Sequence, residues 1–273
     1  MGDDRPSWVG RADPVVLGVV HLLPLPGSPR YGGDGLTPII DAARRDADRL
    51  VEAGFDGYVI ENFGDAPFFK DAVPGHTATV MTRLATQLSR EDKIIGVNVL
   101  RNDATAALAV AVAAELDFIR VNVHVGAALT DQGVVEGQAA QTLRLRAQLG
   151  ADVRIAADVD VKHARPLAPG YDRAEAARET FGRGGADVLI VSGTATGMPV
   201  RRGDLEEIAA AVPEAPVWIG SGATLENVAD LLERAGGVIV GTSIKEGGHV
   251  HGPVDLERAR RFVEAARNAP RRP

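Results

Sequence analysis

The chain has 273 residues, of which 45% are hydrophobic, and its formal net charge is −7. A chain of this length and composition can bury a sizeable core, while the acidic balance and the absence of a run of five basic residues argue against nucleic-acid binding. There is no cysteine, which excludes disulfides, thiolate catalysis, iron–sulfur clusters and cysteine-ligated zinc.

Neither a signal peptide nor a membrane span is predicted. Residues 1–12 are polar and acidic, and no apolar stretch of signal-peptide type follows them. The apolar run at 106–114 is far shorter than the roughly 20 residues that a membrane span needs. We therefore expect a cytoplasmic protein without a transmembrane segment, forming one domain over residues 1–273 with flexible ends at 1–13 and 269–273.

Eight short apolar runs rich in β-branched residues recur along the chain and alternate with segments typical of helices. Nearly continuous apolar runs indicate strands that are covered on both faces, as in parallel sheets. The predicted strands are 15–20, 57–61, 94–99, 118–123, 153–159, 187–192, 216–220 and 237–241, and predicted helices include 38–54, 103–115, 171–185 and 224–236. Asp103 and Thr224 are the expected N-caps of two helices, and Gly54 and Gly236 are expected at helix C-termini.

The spacing of these runs predicts the fold. Successive strands are about 32 residues apart, the size of one strand–helix unit. Eight such units in about 250 residues indicate the α/β class and a single (β/α)8 TIM barrel. A doubly wound sheet is the alternative, because the number of strands does not by itself establish closure.

Polar residues end six consecutive predicted strands, at the end of a barrel where ligands bind. On strand four Arg120, Asn122 and His124 alternate and so share a face, as Asp158 and Asp160 do on strand five. The candidate catalytic residues are Glu61, Asp158, His21 and Lys162. The candidate substrate-binding residues are Asn98, Asn122, Asp160 and Ser192.

Acid–base chemistry next to a carbonyl needs a base and an acid on opposite sides of the substrate. Glu61 and Asp158 are the predicted pair, with His21 or Lys162 supplying a second proton or stabilising an oxyanion. A Schiff base on Lys162 is ranked lower.

Glu61, Asp158 and Asp160 are also candidate ligands of a divalent ion, Mg, Mn or Zn. One histidine would complete that site: His21, His124 or His163. The competing interpretation is that Asp160 forms an ion pair with Lys162 or with an arginine.

Small residues follow the last two predicted strands. Such loops let backbone N–H groups approach an anion, and barrels commonly hold phosphate after strands seven and eight. The predicted phosphate-binding residues are Gly220, Ser221, Gly222, Ala223, Gly241, Thr242 and Ser243.

Two long loops, 22–35 and 63–75, follow strands one and two. They are predicted to close over substrate or to bury Phe63, Phe68 and Phe69 against another subunit, and we expect a homo-oligomer.

Long segments of the chain resemble the BtpA/SgcQ family. They are VVHLLPLPGSPRY (19–31), GYVIENFGDAPF (57–68), GVNVLRNDA (96–104), FIRVNVHVGA (118–127), TDQGVVEG (130–137), ADVDVKHARPL (157–167) and SGTATG (192–197). The resemblance implies a ribulose-phosphate-binding barrel with a phosphorylated small-molecule ligand. One member of the family is associated with photosystem I biogenesis, and another sits beside sugar-phosphotransferase components.

Three functions are compared. The first is an isomerase, epimerase or lyase acting on a phosphorylated sugar or phosphoribosyl compound. The second is a barrel that works as an assembly or stabilising factor, as the photosystem member implies. A nucleoside triphosphatase is disfavoured, because the sequence has no G-x-x-x-x-G-K-[ST] motif.

Overall fold

A computed structural model describes residues 8–160, 164–167, 170–193 and 200–270, except the side chains of Asp160 and Pro166. The predictions for Lys162 and His163, and for the side chain of Asp160, therefore lie outside the described residues.

Eight parallel strands close into a barrel, in which neighbours in the chain pair with each other and the last strand pairs with the first. Closure confirms the (β/α)8 barrel over the doubly wound sheet. The strands are β1 (Val15–His21), β2 (Gly57–Glu61), β3 (Ile94–Asn98), β4 (Phe118–Val121), β5 (Arg154–Asp160), β6 (Val188–Val191), β7 (Val217–Ile219) and β8 (Gly237–Val240).

A helix follows each strand. The helices are α1 (Thr37–Glu52), α2 (Gly75–Leu88), α3 (Ala104–Ala113), α4 (Ala139–Gln148), α5 (Arg173–Arg178), α6 (Arg202–Ala211), α7 (Val228–Leu232) and α8 (Leu256–Arg267). A π-helical turn, Glu179–Arg183, continues α5, and 3-10 turns occur at Phe63–Asp65, Thr242–Ile244 and Glu246–Gly248. In the part of the chain that the structure describes, no helix is both long and apolar enough to span a membrane.

Of the four predicted helix ends, those at Asp103 and Gly54 are correct and those at Thr224 and Gly236 are wrong. Asp103 caps α3 by accepting a hydrogen bond from the N–H of Ala106, and Gly54 follows α1 with a φ of 90°. Thr224 and Gly236 were predicted wrongly, because α7 is shorter than the pattern indicates. Its N-cap is Asn227, whose side-chain oxygen accepts the N–H of Thr224 at 2.7 Å.

A small antiparallel sheet lies outside the barrel. Its strands are Gly133–Glu136, Ala127–Thr130 and Ala164–Pro166, in that spatial order. The first two belong to the connection after β4, and the third follows β5. The sequence patterns did not predict this sheet.

Two apolar clusters hold the barrel together, one between strands and helices and one inside the barrel. Trp8 belongs to the inner cluster, where its ring centroid lies 5.9 Å from that of Phe118 and 5.8 Å from that of Trp218. Both Trp8 and Val9 are buried. The flexible end expected over 1–13 therefore includes two residues that pack in the barrel interior.

Candidate functional site

The site follows from the two-residue period of the strands. Apolar residues such as Val19, Val59 and Ile190 fill the barrel interior, and the next inward position, two residues further on, is polar or glycine. Strand register aligns His21 with Glu61 and Glu61 with Asn98. This top layer consists of His21, Glu61, Asn98, Asn122, Asp158, Ser192, Gly220 and Gly241.

Arg120 lies one layer below Asn122 on β4 and is 4% exposed. Its Nε and Nη2 donate to the two carboxylate oxygens of Asp158 at 2.9 and 3.0 Å, and its Nη1 lies 3.4 Å from Oε1 of Glu61. Burial alone lowers the pKa of Arg120, but attraction to and hydrogen bonds with Asp158 and Glu61 outweigh it and raise the pKa above the ordinary value. A permanently charged guanidinium therefore joins the two predicted catalytic carboxylates.

Asp158 is saturated with hydrogen bonds. Besides the two from Arg120, its carboxylate accepts the Nδ2–H of Asn122 at 3.2 Å and the hydroxyl of Ser192 at 2.8 Å, and its side chain is 0% exposed. A carboxylate has about four acceptor positions. Asp158 thus positions Arg120, and the predicted role of Asp158 as a base would require this network to open.

Glu61 and His21 form a second pair beside Arg120 and Asp158, which are together called the clamp below. Oε1 of Glu61 accepts from Nδ2 of Asn98 at 3.2 Å, and its Oε2 lies 3.7 Å from Nε2 of His21. Nδ1 of His21 lies 3.3 Å from the carbonyl oxygen of Val250. Because a carbonyl only accepts, Nδ1 carries a hydrogen and Nε2 is the nitrogen that faces Glu61. The 3.7 Å separation is longer than a hydrogen bond, so Glu61 and His21 are close neighbours at the edge of the loop cavity.

The charge of Arg120 bears on the predicted metal site. Its guanidinium lies between Glu61 and Asp158, where a shared cation would sit. Among the described residues, no group of three or more His, Cys, Asp or Glu side chains is arranged to hold a metal ion. The third predicted ligand, the side chain of Asp160, is outside those residues.

Glycine in the top layer opens a cavity next to this charged cluster. A Cβ on Gly220 would lie 2.8 Å from Nη2 of Arg120, and a Cβ on Gly241 would lie 3.2 Å from Cε1 of His21. The resulting space of about 240 Å³, here called the loop cavity, is lined by Glu61 and by both predicted phosphate loops. The same cavity is lined by His21, Arg120, Gly220, Ser221, Gly222, Ala223, Thr224, Gly241, Thr242 and Ser243.

Backbone donors in these loops are not used within the described chain. No acceptor in the described ranges takes the N–H groups of Gly222, Ala223, Thr242 or Ser243. The hydroxyl of Ser243 donates to the carbonyl oxygen of Ala223 at 2.8 Å, which ties the two loops together. Since α7 begins only at Val228, the residues after β7 that line the loop cavity belong to a loop rather than to a helix N-terminus.

A second cavity of about 380 Å³ shares Glu61 and Arg120 with the first. Phe63 and Phe68, which the sequence analysis assigned to a lid or a subunit contact, line this cavity, and Phe63 stacks on His21 with ring centroids 4.5 Å apart. Phe69 is 57% exposed.

Sequence reasoning left Arg120 out of the site. By strand period Arg120 shares a face with Asn122, but the predicted site consists of the carboxylates and amides around it. The available signal was a lone arginine in the apolar run FIRV, since an arginine buried inside a barrel needs a partner.

Comparison with known proteins agrees with this architecture. The model of the BtpA family matches residues 12–268. The photosystem I biogenesis protein BtpA of Synechocystis is 47% identical over 251 residues, covering 92% of this chain and 87% of that protein. A protein of Thermococcus kodakarensis is 46% identical over 257 residues, with 92% and 95% covered.

Solved structures show the same fold at low sequence identity. Phosphoribosyl anthranilate isomerase from Thermus thermophilus matches with a TM-score of 0.54 and 11% identity, covering 92% of this chain and 97% of that one. KGPDC from Streptococcus mutans matches with a TM-score of 0.54 and 14% identity, covering 94% and 98%. The family match and the barrel together establish that the chain belongs to the BtpA family.

Proposed function

We propose that the protein is an enzyme that binds a phosphorylated sugar and carries out acid–base chemistry on it. One observation carries the proposal: the loop cavity is lined both by the loops 220–224 and 241–243 and by the Glu61–His21 pair. A ligand with its phosphate on the loops therefore has its carbon skeleton beside two groups that can exchange a proton.

Backbone N–H groups in the loops 220–224 and 241–243 support the proposal that these loops bind the phosphate group of the ligand. Gly222, Ala223, Thr242 and Ser243, whose N–H groups have no acceptor among the described residues, line a cavity that Arg120 also lines. Several N–H groups aimed at one point form a binding site for an anion. The solved isomerase of the same fold is named for a phosphoribosyl compound, which agrees with this class of ligand.

The chemistry we propose is proton transfer at a carbon next to a carbonyl. Glu61 removes the proton, Arg120 stabilises the negative charge that develops on oxygen, and Nε2 of His21 takes the proton from Glu61 and delivers it to oxygen or to the neighbouring carbon. Isomerisation and epimerisation end with reprotonation, and a lyase reaction ends with cleavage of a carbon–carbon or carbon–nitrogen bond. Asp158 acts through Arg120, which it holds in position.

Deuterium exchange tests this chemistry without knowledge of the full reaction. Phosphorylated pentoses and hexoses are incubated with the protein in D2O, and loss of C–H signals is followed by proton NMR. We expect catalysed exchange in at least one sugar phosphate, reduced about 10²- to 10⁴-fold by Glu61→Gln, as for removal of a general base.

The matched control is Glu91→Gln, which changes an exposed glutamate in a turn between α2 and β3 and should leave exchange unchanged. Equal exchange in Glu61→Gln and the unchanged protein would remove Glu61 from the mechanism.

An assembly factor is the second candidate. Leu129 and Val134 face each other across the small sheet and are 46% and 38% exposed. An exposed apolar pair on an added sheet fits a partner surface, and the Synechocystis relative is named for photosystem I biogenesis. Phosphate binding without exchange in any sugar phosphate would favour this candidate.

We also propose a homo-oligomer in the cytoplasm, as the sequence analysis predicts. Exposed Phe69 is the aromatic residue of the 63–75 loop that is available to a second copy. Light scattering at micromolar concentration tests the assembly, and a monomeric mass would contradict it.

A further inference from the structure

The second cavity has a lining unlike that of the loop cavity. Phe63, Phe68 and Leu100 form an apolar wall, with the ring centroids of the two phenylalanines 6.3 Å apart. The rest of the lining is polar and consists of the guanidinium of Arg101, the carboxylate of Asp131 and the amides of Asn98 and Asn122. Flat apolar faces beside a few placed polar groups are typical of sites for planar, hydrogen-bonding ligands.

Asn122 has an unsatisfied acceptor in this lining. Its Nδ2 donates to Oδ2 of Asp158 at 3.2 Å, and because a carboxylate only accepts, this contact fixes the orientation of the amide. The Oδ1 atom is buried and receives no hydrogen bond from the described residues, and the whole residue is 4% exposed. A buried acceptor without a donor is costly, so a ligand hydroxyl or N–H would satisfy it.

Arg101 contributes donors to the same cavity. It is 5% exposed, and the side chain of the following residue fixes this segment: Nδ2 of Asn102 donates to the carbonyl oxygen of Val123, and Oδ1 of Asn102 accepts the N–H of Val123, both at 2.8 Å. A guanidinium offers several N–H donors in one plane. The guanidinium of Arg101 and the amide of Asn122 therefore line the same cavity.

The two cavities meet at Glu61 and Arg120, which line both. One ligand can therefore reach from the phosphate loops across the Glu61–His21 pair to the aromatic wall. The atoms of the ligand that lie next to Glu61 and Arg120 are then the atoms on which the proposed acid–base chemistry takes place.

We infer that the ligand is a sugar monophosphate that carries a planar nitrogen-containing ring, and that this ring lies in the second cavity against Phe63 and Phe68. The inference rests on the proposed function and deepens it. The sugar then lies over Glu61 and Arg120, and the carbon that bears the ring is among the atoms next to Glu61.

Calorimetric binding to three probes tests this inference: inorganic phosphate, ribose 5-phosphate and uridine 5′-monophosphate. We expect the nucleotide to bind at least tenfold more tightly than ribose 5-phosphate. In Phe68→Ala the ratio of these two dissociation constants should fall below about threefold, since stacking on an aromatic ring supplies the difference. In Asn122→Ala the ratio should fall as well.

The control is Phe69→Ala, which removes the neighbouring exposed phenylalanine that does not line the second cavity, and it should keep the tenfold ratio. Melting temperatures of all variants establish that they are folded. If phosphate and ribose 5-phosphate bind but the nucleotide binds no more tightly, the ring inference is overturned and the proposed function stands. If inorganic phosphate, ribose 5-phosphate and the nucleotide all fail to bind, the ring inference and the proposed function are both overturned.

Discussion

At the scale of single residues, Gly220 determines whether the charged clamp and the loop cavity can coexist. A Cβ there would lie 2.3 Å from Cγ2 of Ile190, 2.7 Å from Oγ of Ser192 and 2.8 Å from Nη2 of Arg120. None of these neighbours can easily move, because Ser192 and Arg120 are both bound to Asp158. Only glycine fits this position without displacing the clamp.

Gly220→Ala should lower the free energy of unfolding by about 1–3 kcal/mol, the usual range for overpacking a core, and weaken phosphate binding. Urea denaturation and calorimetry measure the two effects. The matched control is Gly203→Ala in α6, where a Cβ meets no atom within 4 Å and where alanine should stabilise the helix by up to about 1 kcal/mol. Unchanged stability and phosphate affinity in Gly220→Ala would show that the layer tolerates a side chain.

His124 is a buried histidine whose protonation opposes folding. Its Nε2–H donates to the carbonyl oxygen of Gly184 at 2.8 Å, and its Nδ1 has no hydrogen-bond partner among the described residues. Burial therefore lowers the pKa of His124 below the ordinary value of 6.5, more than the contact with Gly184 raises it. Below pH 6.5 the unfolded chain binds a proton that the folded chain does not, so this residue makes stability fall as pH falls.

His124→Gln should flatten the dependence of unfolding free energy on pH between 7 and 5.5, because glutamine can still donate to Gly184 but takes up no proton. The difference in slope has a limit of about 1.4 kcal/mol per pH unit. Urea denaturation at several pH values measures it. His249→Gln, at an exposed position, should keep the slope of the unchanged protein, and identical slopes for all three proteins would contradict this account.

The residues that the sequence predicts best are those fixed by strand period. Alternation placed His21, Glu61 and Asn98 at the ends of successive strands, and register brings them side by side. The alternation of inward and outward residues does not show which polar side chains form ion pairs with each other. The binding of Asp158 by Arg120 depends on how far a long side chain reaches across β4 and β5, which the sequence pattern does not contain.

At the scale of elements, the segment before β1 closes one end of the barrel. Trp8 packs against Phe118 and Trp218 inside the barrel, and Arg11 binds the carboxylate of Asp56 at 2.6 Å. The sequence analysis expects a flexible end over 1–13, a largely polar segment that also contains Trp8 and its neighbour Val9. One tryptophan was enough to anchor it, since a large apolar side chain loses much surface to water on burial.

Trp8→Ala should lower the free energy of unfolding by about 3 kcal/mol, the low end of the range for removing a buried aromatic side chain. The chain has two tryptophans, so Trp218 still reports unfolding by fluorescence. Leu149→Ala, at a position 43% exposed, is the control and should change stability by less than about 0.5 kcal/mol. A loss in Trp8→Ala no larger than in the control would show that this segment is not part of the core.

The elements that the sequence missed have weak local signals. The small sheet is built from strands of three or four residues, one of them far along the chain from the other two, so its pairing depends on the barrel that brings the ends of β4 and β5 together. The start of α7 was misplaced because Thr224 and Asn227 are both common N-cap residues, and the sequence does not show at which of them the helix begins.

At the scale of the whole molecule, closure of the barrel brings its first and last strands together. His21 on β1 and the loop after β8 line one cavity although more than 200 positions separate them in the chain. The eight predicted strand–helix units indicated that His21 and the loop after β8 would be close, because the C-terminal ends of all strands of a barrel lie at one face. The extent of each cavity was not predictable, since it depends on how the side chains that line it pack against one another.

The most direct test of the central claim is a thermal-shift titration with ribose 5-phosphate and inorganic phosphate. A ligand present at 100 times its dissociation constant adds about 2.7 kcal/mol of stability, which raises the melting temperature of a chain of this size by several degrees. We predict such a rise with ribose 5-phosphate, and a smaller rise in Gly220→Ala at the same concentration. No rise with either ligand at any concentration up to millimolar would contradict phosphate binding by the loops after β7 and β8.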